Sequence, residues 1–173
     1  LTKEEKKNLV AHIVEINNKR LPLVIGIGGN NTVAVVEEIK EVDTENLDAI
    51  LSVVPMYNRP SQQGIYEHYK VINDVSPLPV LLYNVPSRTA TNMTAETTLR
   101  LAQLDKIVGV KEAVGDFTQV LKIIKDRPEG FKVISGDDAL ALSTVAAGGD
   151  GVISVVGQGF PEEFSEMIRL GLD

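Results

Sequence analysis

The sequence predicts an α/β protein built on a parallel sheet, and three observations carry that prediction. Apolar runs begin near Pro22, Asp48, Pro79, Lys106, Lys132 and Gly151, roughly 20 to 30 residues apart. Each interval has room for a strand, a loop and a helix, which is the crossover that parallel strands require. Polar and glycine-rich residues gather directly after the apolar runs, at what would be the C-terminal ends of the strands. An open doubly wound sheet and a (β/α)8 barrel both place their sites there, and periodicity does not choose between them. At 173 residues and 43% hydrophobic, the chain suffices for a single domain, 1–173, with a sizeable core.

Taken in order, Thr2-Lys-Glu-Glu5 reads as a capping box that opens a helix to about Asn18, with Leu9, Ile13 and Ile16 as its apolar stripe. The run Pro22 to Gly28 is a strand, and Asn or Thr after Gly29 caps a helix that reaches about Val42. Gly26-Ile-Gly28-Gly29-Asn30-Asn31 approaches a dinucleotide fingerprint, but Asn31 stands where a third Gly or Ala is needed. After the second strand, Pro55-Met-Tyr57-Asn-Arg-Pro excludes regular structure and leaves Tyr57 an exposed aromatic. The third strand, from Pro79, turns Leu81 and Tyr83 to one face and runs into the polar loop Val85-Pro-Ser-Arg88-Thr89. In the fourth, strict alternation sends Ile107, Gly109 and Lys111 to one face and Val108, Val110 and Glu112 to the other, so Glu112 reads as a residue that supports the site from behind or as structural, not as a base. In Ser135-Gly136-Asp137-Asp138, Asp138 reads as N-cap of the next helix and Asp137 as loop surface; no other acidic residue at a strand end completes a magnesium site. Ile153 faces inward by alternation in the last run.

Lys111 is where chemistry enters. A lysine at the mouth of an apolar core is costly to charge, and a neutral amine attacks a carbonyl to form a Schiff base. Taken alone, a strand-end lysine more often snorkels to solvent. Tyr83 shifts that balance: strands about 4.8 Å apart bring a phenol and an amine of equal height within hydrogen-bond reach, directly or through a substrate. His12 and His68 read as solvated helix-face residues, which leaves no zinc pair and no nucleophilic triad. A net charge of −7 argues against nucleic acid, no apolar run approaches membrane-spanning length, and the lack of cysteine excludes disulfides and fits a cytoplasmic setting. A chain that starts at Leu1 without Met is expected to be an internal piece of a longer product.

Tyr83-Asn-Val-Pro-Ser-Arg-Thr89, Met93 and Ile107-Val-Gly-Val-Lys111-Glu-Ala together resemble the signature of the dihydrodipicolinate synthase and N-acetylneuraminate lyase family of pyruvate-dependent aldolases. Val53-Val-Pro-Met-Tyr57, Ser135-Gly-Asp-Asp and Gly151-Val-Ile-Ser extend the likeness over nearly the whole chain. The resemblance implies the barrel, with this chain supplying about strands three to eight. It implies condensation of pyruvate with aspartate-4-semialdehyde on the route to diaminopimelate and lysine, with no metal and no cofactor beyond the imine on Lys111. By the same likeness Tyr83 and Tyr57 join a proton relay, Tyr57 by reaching across a dimer or tetramer interface, and the relay threonine falls in a segment without counterpart here. Arg88 and Thr89 would bind substrate, and Gly136 and Ile153 would line the pyruvate pocket. Ala34 and Met56 stand where lysine-inhibited members have a glutamate and a tyrosine, which implies weak feedback by lysine. A sugar-acid aldolase and a non-catalytic assembling fragment are the alternatives.

Overall fold

The computed structural model describes residues 1–172. The elements are α1 (Lys3–Asn17), β1 (Val24–Gly26), α2 (Thr32–Glu41), β2 (Ala49–Val53), α3 (Gln62–Val75), β3 (Val80–Asn84), the single turn α4 (Pro86–Thr89), α5 (Ala95–Leu101), β4 (Ile107–Glu112), α6 (Phe117–Asp126), β5 (Lys132–Ser135), α7 (Ala141–Ala146), β6 (Gly151–Val152), a 3-10 turn (Val156–Gln158) and α8 (Pro161–Leu172). The six strands form one parallel sheet in the order β1-β2-β3-β4-β5-β6. A doubly wound sheet reverses its strand order at a switch point, and this one does not. With crossovers of the usual right hand, unreversed order puts every helix on one face and leaves the other face to close on itself. The chain therefore holds six strands of a (β/α)8 barrel.

The main core lies between sheet and helices, where Ile25, Ile50, Val80, Leu82, Val110 and Val133 meet Ile39, Ile65, Ile72, Leu101, Val120 and Ile123. Tyr69 is wholly buried there and its hydroxyl donates to the Ser52 carbonyl at 2.8 Å. On the opposite, inner face, Leu51, Val53, Tyr83, Lys111 and Ile134 are only half-buried. Among the described residues no helix is long and apolar enough to cross a membrane.

The capping box at α1 is present, with the Thr2 hydroxyl accepting from Glu5 N at 3.2 Å and the Glu5 carboxylate accepting from Thr2 N at 2.7 Å. The expected stripe is not the buried one. Leu9, Ile13 and Ile16 are exposed, and Val10, Val14 and Asn17 face the fold. Polar anchors decide this orientation: Asn17 bonds both the Leu21 carbonyl and its N–H, and Lys6 Nζ reaches the Gly26 carbonyl at 3.0 Å.

Two further expectations are corrected. His68 is buried, with Nδ1 2.8 Å from the Thr32 hydroxyl, and burial lowers its pKa to about 4. Helical spacing does put His68 on the stripe of Ile65 and Ile72; what the sequence does not show is the Thr32 hydroxyl on α2 that satisfies its ring. Ile107 pairs with Val80 and joins the helix-side core, because the β3–β4 register shifts between Val80 and Leu81 and breaks the alternation.

Candidate active site

Beyond that shift, β3 and β4 run in register to their ends, pairing Tyr83 with Lys111 and Asn84 with Glu112. Parallel register is what brings the lysine and the tyrosine to one height on the inner face. Lys111 Nζ stands 4.2 Å from the centre of the Tyr83 ring. The amine thus meets the ring face, so of the two readings the sequence left open, a direct bond to the hydroxyl or one through a substrate, the direct bond is not made; side chains level on neighbouring strands run side by side. A cation over an aromatic face is held by the ring quadrupole.

The third wall comes from the loop after β5. Gly136 N donates to the Glu112 carbonyl at 2.7 Å, which continues the strand pairing and lays the backbone along the lysine. A Cβ at Gly136 would sit 3.0 Å from Lys111 Cε, 3.1 Å from its Cγ and 2.9 Å from Ala113 Cβ. Glycine is therefore needed here for the close approach of the loop to Lys111 and Ala113. After β6, Ile153 N donates to the Ser135 carbonyl at 3.0 Å, and its side chain is about one-third exposed.

Asp138 does not cap its own helix, whose N-cap is Leu140. Its Oδ2 accepts from Val155 N at 3.1 Å and Val156 N at 2.9 Å, tying the loop after β5 to the 3-10 turn after β6. The reason is geometric: Asp137 already turns the chain by accepting from Ala139 N at 2.9 Å, which leaves Asp138 facing the neighbouring loop. Burial opposes ionisation of Asp138, but bonds from Ser154, Val156 and Val155 and the charge of Lys111 hold the carboxyl below its usual range.

The loop after β3 carries the other expected residues. Arg88 is exposed on α4 and has no ion-pair partner among the described residues. Thr89 is buried, and its hydroxyl is engaged inside the loop, with Thr91 O at 2.9 Å, Val85 O at 3.2 Å and Thr91 N at 3.2 Å. Its carbonyl accepts from Tyr57 N at 3.3 Å. Thr89 thus anchors the loop, and its side chain has no free donor for a substrate. Tyr57, at φ 71°, is held in the left-handed region and is 89% exposed.

Sequence reasoning gave Glu112 a supporting or structural place and did not single out Asn84; both are almost fully buried on the helix side and bonded to each other at 2.8 Å. Burial pushes the Glu112 carboxyl up to about 7, against bonds from Gln119, Asn84 and the N–H groups of Val114 and Ala113. The available signal was a polar residue at a helix-facing position at the end of each of two adjacent apolar strands.

Residues 1–173 match the model of the Dihydrodipicolinate synthetase family. A curated 4-hydroxy-tetrahydrodipicolinate synthase from Flavobacterium psychrophilum is 56% identical over 99% of this chain and 59% of its own length. The crystal structure of dihydrodipicolinate synthase from Aquifex aeolicus superposes with a TM-score of 0.93 at 37% identity, over 99% of this chain and 59% of that one. The chloride-inhibited dihydrodipicolinate synthase from Acinetobacter baumannii, complexed with pyruvate, gives 0.95 at 38% identity over the same shares. The chain thus spans about three-fifths of the length of the proteins it resembles.

Proposed function

We propose, from the premise that this chain belongs to the dihydrodipicolinate synthetase family, that the protein containing it condenses pyruvate with aspartate-4-semialdehyde through an imine on Lys111. The observation that carries this reading is the amine of Lys111 beside the Tyr83 ring, with the Gly136 backbone packed along the lysine where no larger residue would fit. The amine attacks the ketone carbon of pyruvate, and loss of water leaves the imine. Removal of a methyl proton gives an enamine, whose terminal carbon attacks the aldehyde. The amino group of the second substrate then adds to the imine carbon and expels the lysine, closing the ring.

Tyr83 would carry protons to and from these intermediates, and the imine formed on Lys111 serves as the electron sink, so the scheme draws on no cofactor. Arg88, exposed and unpaired among the described residues, offers a bidentate partner to the carboxylate of the aldehyde substrate. Tyr57 completes the relay only from a second copy, since within this chain it points outward; a homodimer or homotetramer fits that direction. Ala34 is exposed on the first turn of α2 and Met56 is half-buried, and neither supplies a charged or phenolic group to hold lysine as an inhibitor.

Incubation of the full-length protein with pyruvate and borohydride is expected to add a reduced pyruvyl group to the peptide spanning Lys111. The Lys111→Ala variant should take up none. Labelling that persists in this variant refutes the assignment.

A further inference from the structure

We propose that Glu112 is a positioning residue: from the helix side of the sheet it fixes the height at which Lys111 meets Tyr83, and it anchors the loop that carries Arg88. The inference rests on reading Lys111 as the imine-forming residue. Lys111 and Glu112 are neighbours in the chain and opposite in face, and Tyr83 and Asn84 repeat that relation one strand over. A single register pairs both couples. The alignment that lays the amine against the ring is therefore the alignment that lets Asn84 Nδ2 donate to Glu112 Oε1 at 2.8 Å, and a slip of one residue would lose both.

Something must set that register at this end of the pair, because the other end is irregular. The β3–β4 pairing shifts between Val80 and Leu81, so backbone bonds near the strand starts do not dictate alignment at the strand ends. The Glu112 carboxylate gathers further donors, Val114 N at 2.9 Å on Oε1 and Gln119 Nε2 at 3.1 Å on Oε2. Asn84 Oδ1 accepts from Met93 N at 3.0 Å, and its Nδ2 also reaches Asn92 Oδ1 at 2.8 Å. One buried cluster thereby joins the ends of β3 and β4, the start of α6 and the far end of the loop bearing Arg88 and Thr89. A buried carboxylate is costly where an apolar side chain would pack, and what this one supplies in return is a unique alignment. Glu112 lies across the sheet from the inner face and touches no reacting atom.

The test uses the full-length protein at temperatures well below its melting transition, and follows the rate of pyruvate trapping on Lys111 by borohydride quench and intact mass. Glu112→Ala is expected to trap at least about ten-fold more slowly at saturating pyruvate, the scale on which small misplacements act. Glu112→Gln keeps the shape and one acceptor oxygen and should restore the rate to within about three-fold, which a need for negative charge would not allow. Asn84→Ala should slow trapping like Glu112→Ala, and the double variant should be no slower than either single one. Should the alanine variants fail to fold, Gln119→Ala, at the partly exposed edge of the cluster, remains and is expected to slow the same step about three-fold. Wild-type trapping rates in the folded alanine variants, or in Gln119→Ala where those do not fold, overturn the proposal. Failure of the wild-type protein to trap pyruvate on Lys111 overturns the functional reading instead. The positioning claim is then still read from the rate at which a small acylating reagent labels Lys111, expected to change in Glu112→Ala and contradicted by equal rates.

Discussion

At the scale of single residues, the site depends as much on what is missing from a side chain as on what is present. Gly136 lies so close to Lys111 that a methyl group there would press on Cγ and Cε of the lysine and on the Cβ of Ala113. The lysine is flexible, but Ala113 is not, so the added atom would displace the amine from its place over the Tyr83 ring. Gly136→Ala is therefore expected to lower the rate of imine formation about ten-fold or more while the protein still folds. Borohydride trapping against time, set beside a thermal melt, checks this, and an unchanged trapping rate would show that the lysine finds another productive path. The pairing of Tyr83 with Lys111 was legible in the sequence because it follows from alternation and from residues at strand ends. The Thr89 hydroxyl, the left-handed backbone at Tyr57 and the cross-loop bonds of Asp138 were not. Those depend on loop backbone, which no period in the sequence encodes.

At the scale of elements, two buried titratable groups on different layers give the fold opposing responses to pH. Glu112, at the end of β4, is raised from 4.5 to about 7 by burial, so the folded state keeps a proton that the unfolded chain releases. Its contribution is full below pH 4.5 and is lost as pH rises through about 7. His68, on α3, is lowered from 6.5 to about 4, so the unfolded chain takes up a proton that the folded state refuses. Its contribution is present above pH 6.5 and is lost as pH falls through about 4. Each shift corresponds to about 3 kcal/mol, and the two slopes oppose each other over most of the mildly acidic range. Denaturant unfolding of the full-length protein at pH 5 and at pH 7.5 should show the balance broken in opposite senses. Glu112→Gln is expected to lose stability on acidification relative to wild type, and His68→Gln to gain it. Equal slopes in all three proteins would mean that neither burial survives in solution. Both burials had a signal in the sequence: His68 lies three residues after Ile65 and four before Ile72, on the apolar face of α3, and alternation put Glu112 with Val108 and Val110; what the sequence did not show were the partners, Thr32 and Asn84, that satisfy them.

At the scale of the whole molecule, the repeat of apolar runs revealed the parallel sheet, but closure could not be read from it. Barrel and doubly wound sheet share the same period, and only the unreversed strand order separates them. That order has a consequence for these residues taken alone. The strands β1 and β6 each pair on one side only, the inner face is half-covered, and large apolar side chains such as Leu21, Val155, Phe160 and Leu170 are more than half exposed. Unpaired parallel edges beside apolar surface favour association with other chains. Expressed as residues 1–173 and nothing more, the protein is expected to run as oligomers or aggregates in size-exclusion chromatography with light scattering. It should show no steady-state condensation of pyruvate with aspartate-4-semialdehyde, even where Lys111 still traps pyruvate, because six strands leave one side of the site unwalled. A stable, catalytically competent monomer of this length would demonstrate that the inner face needs no further strands to hold Lys111 and Tyr83 in working order.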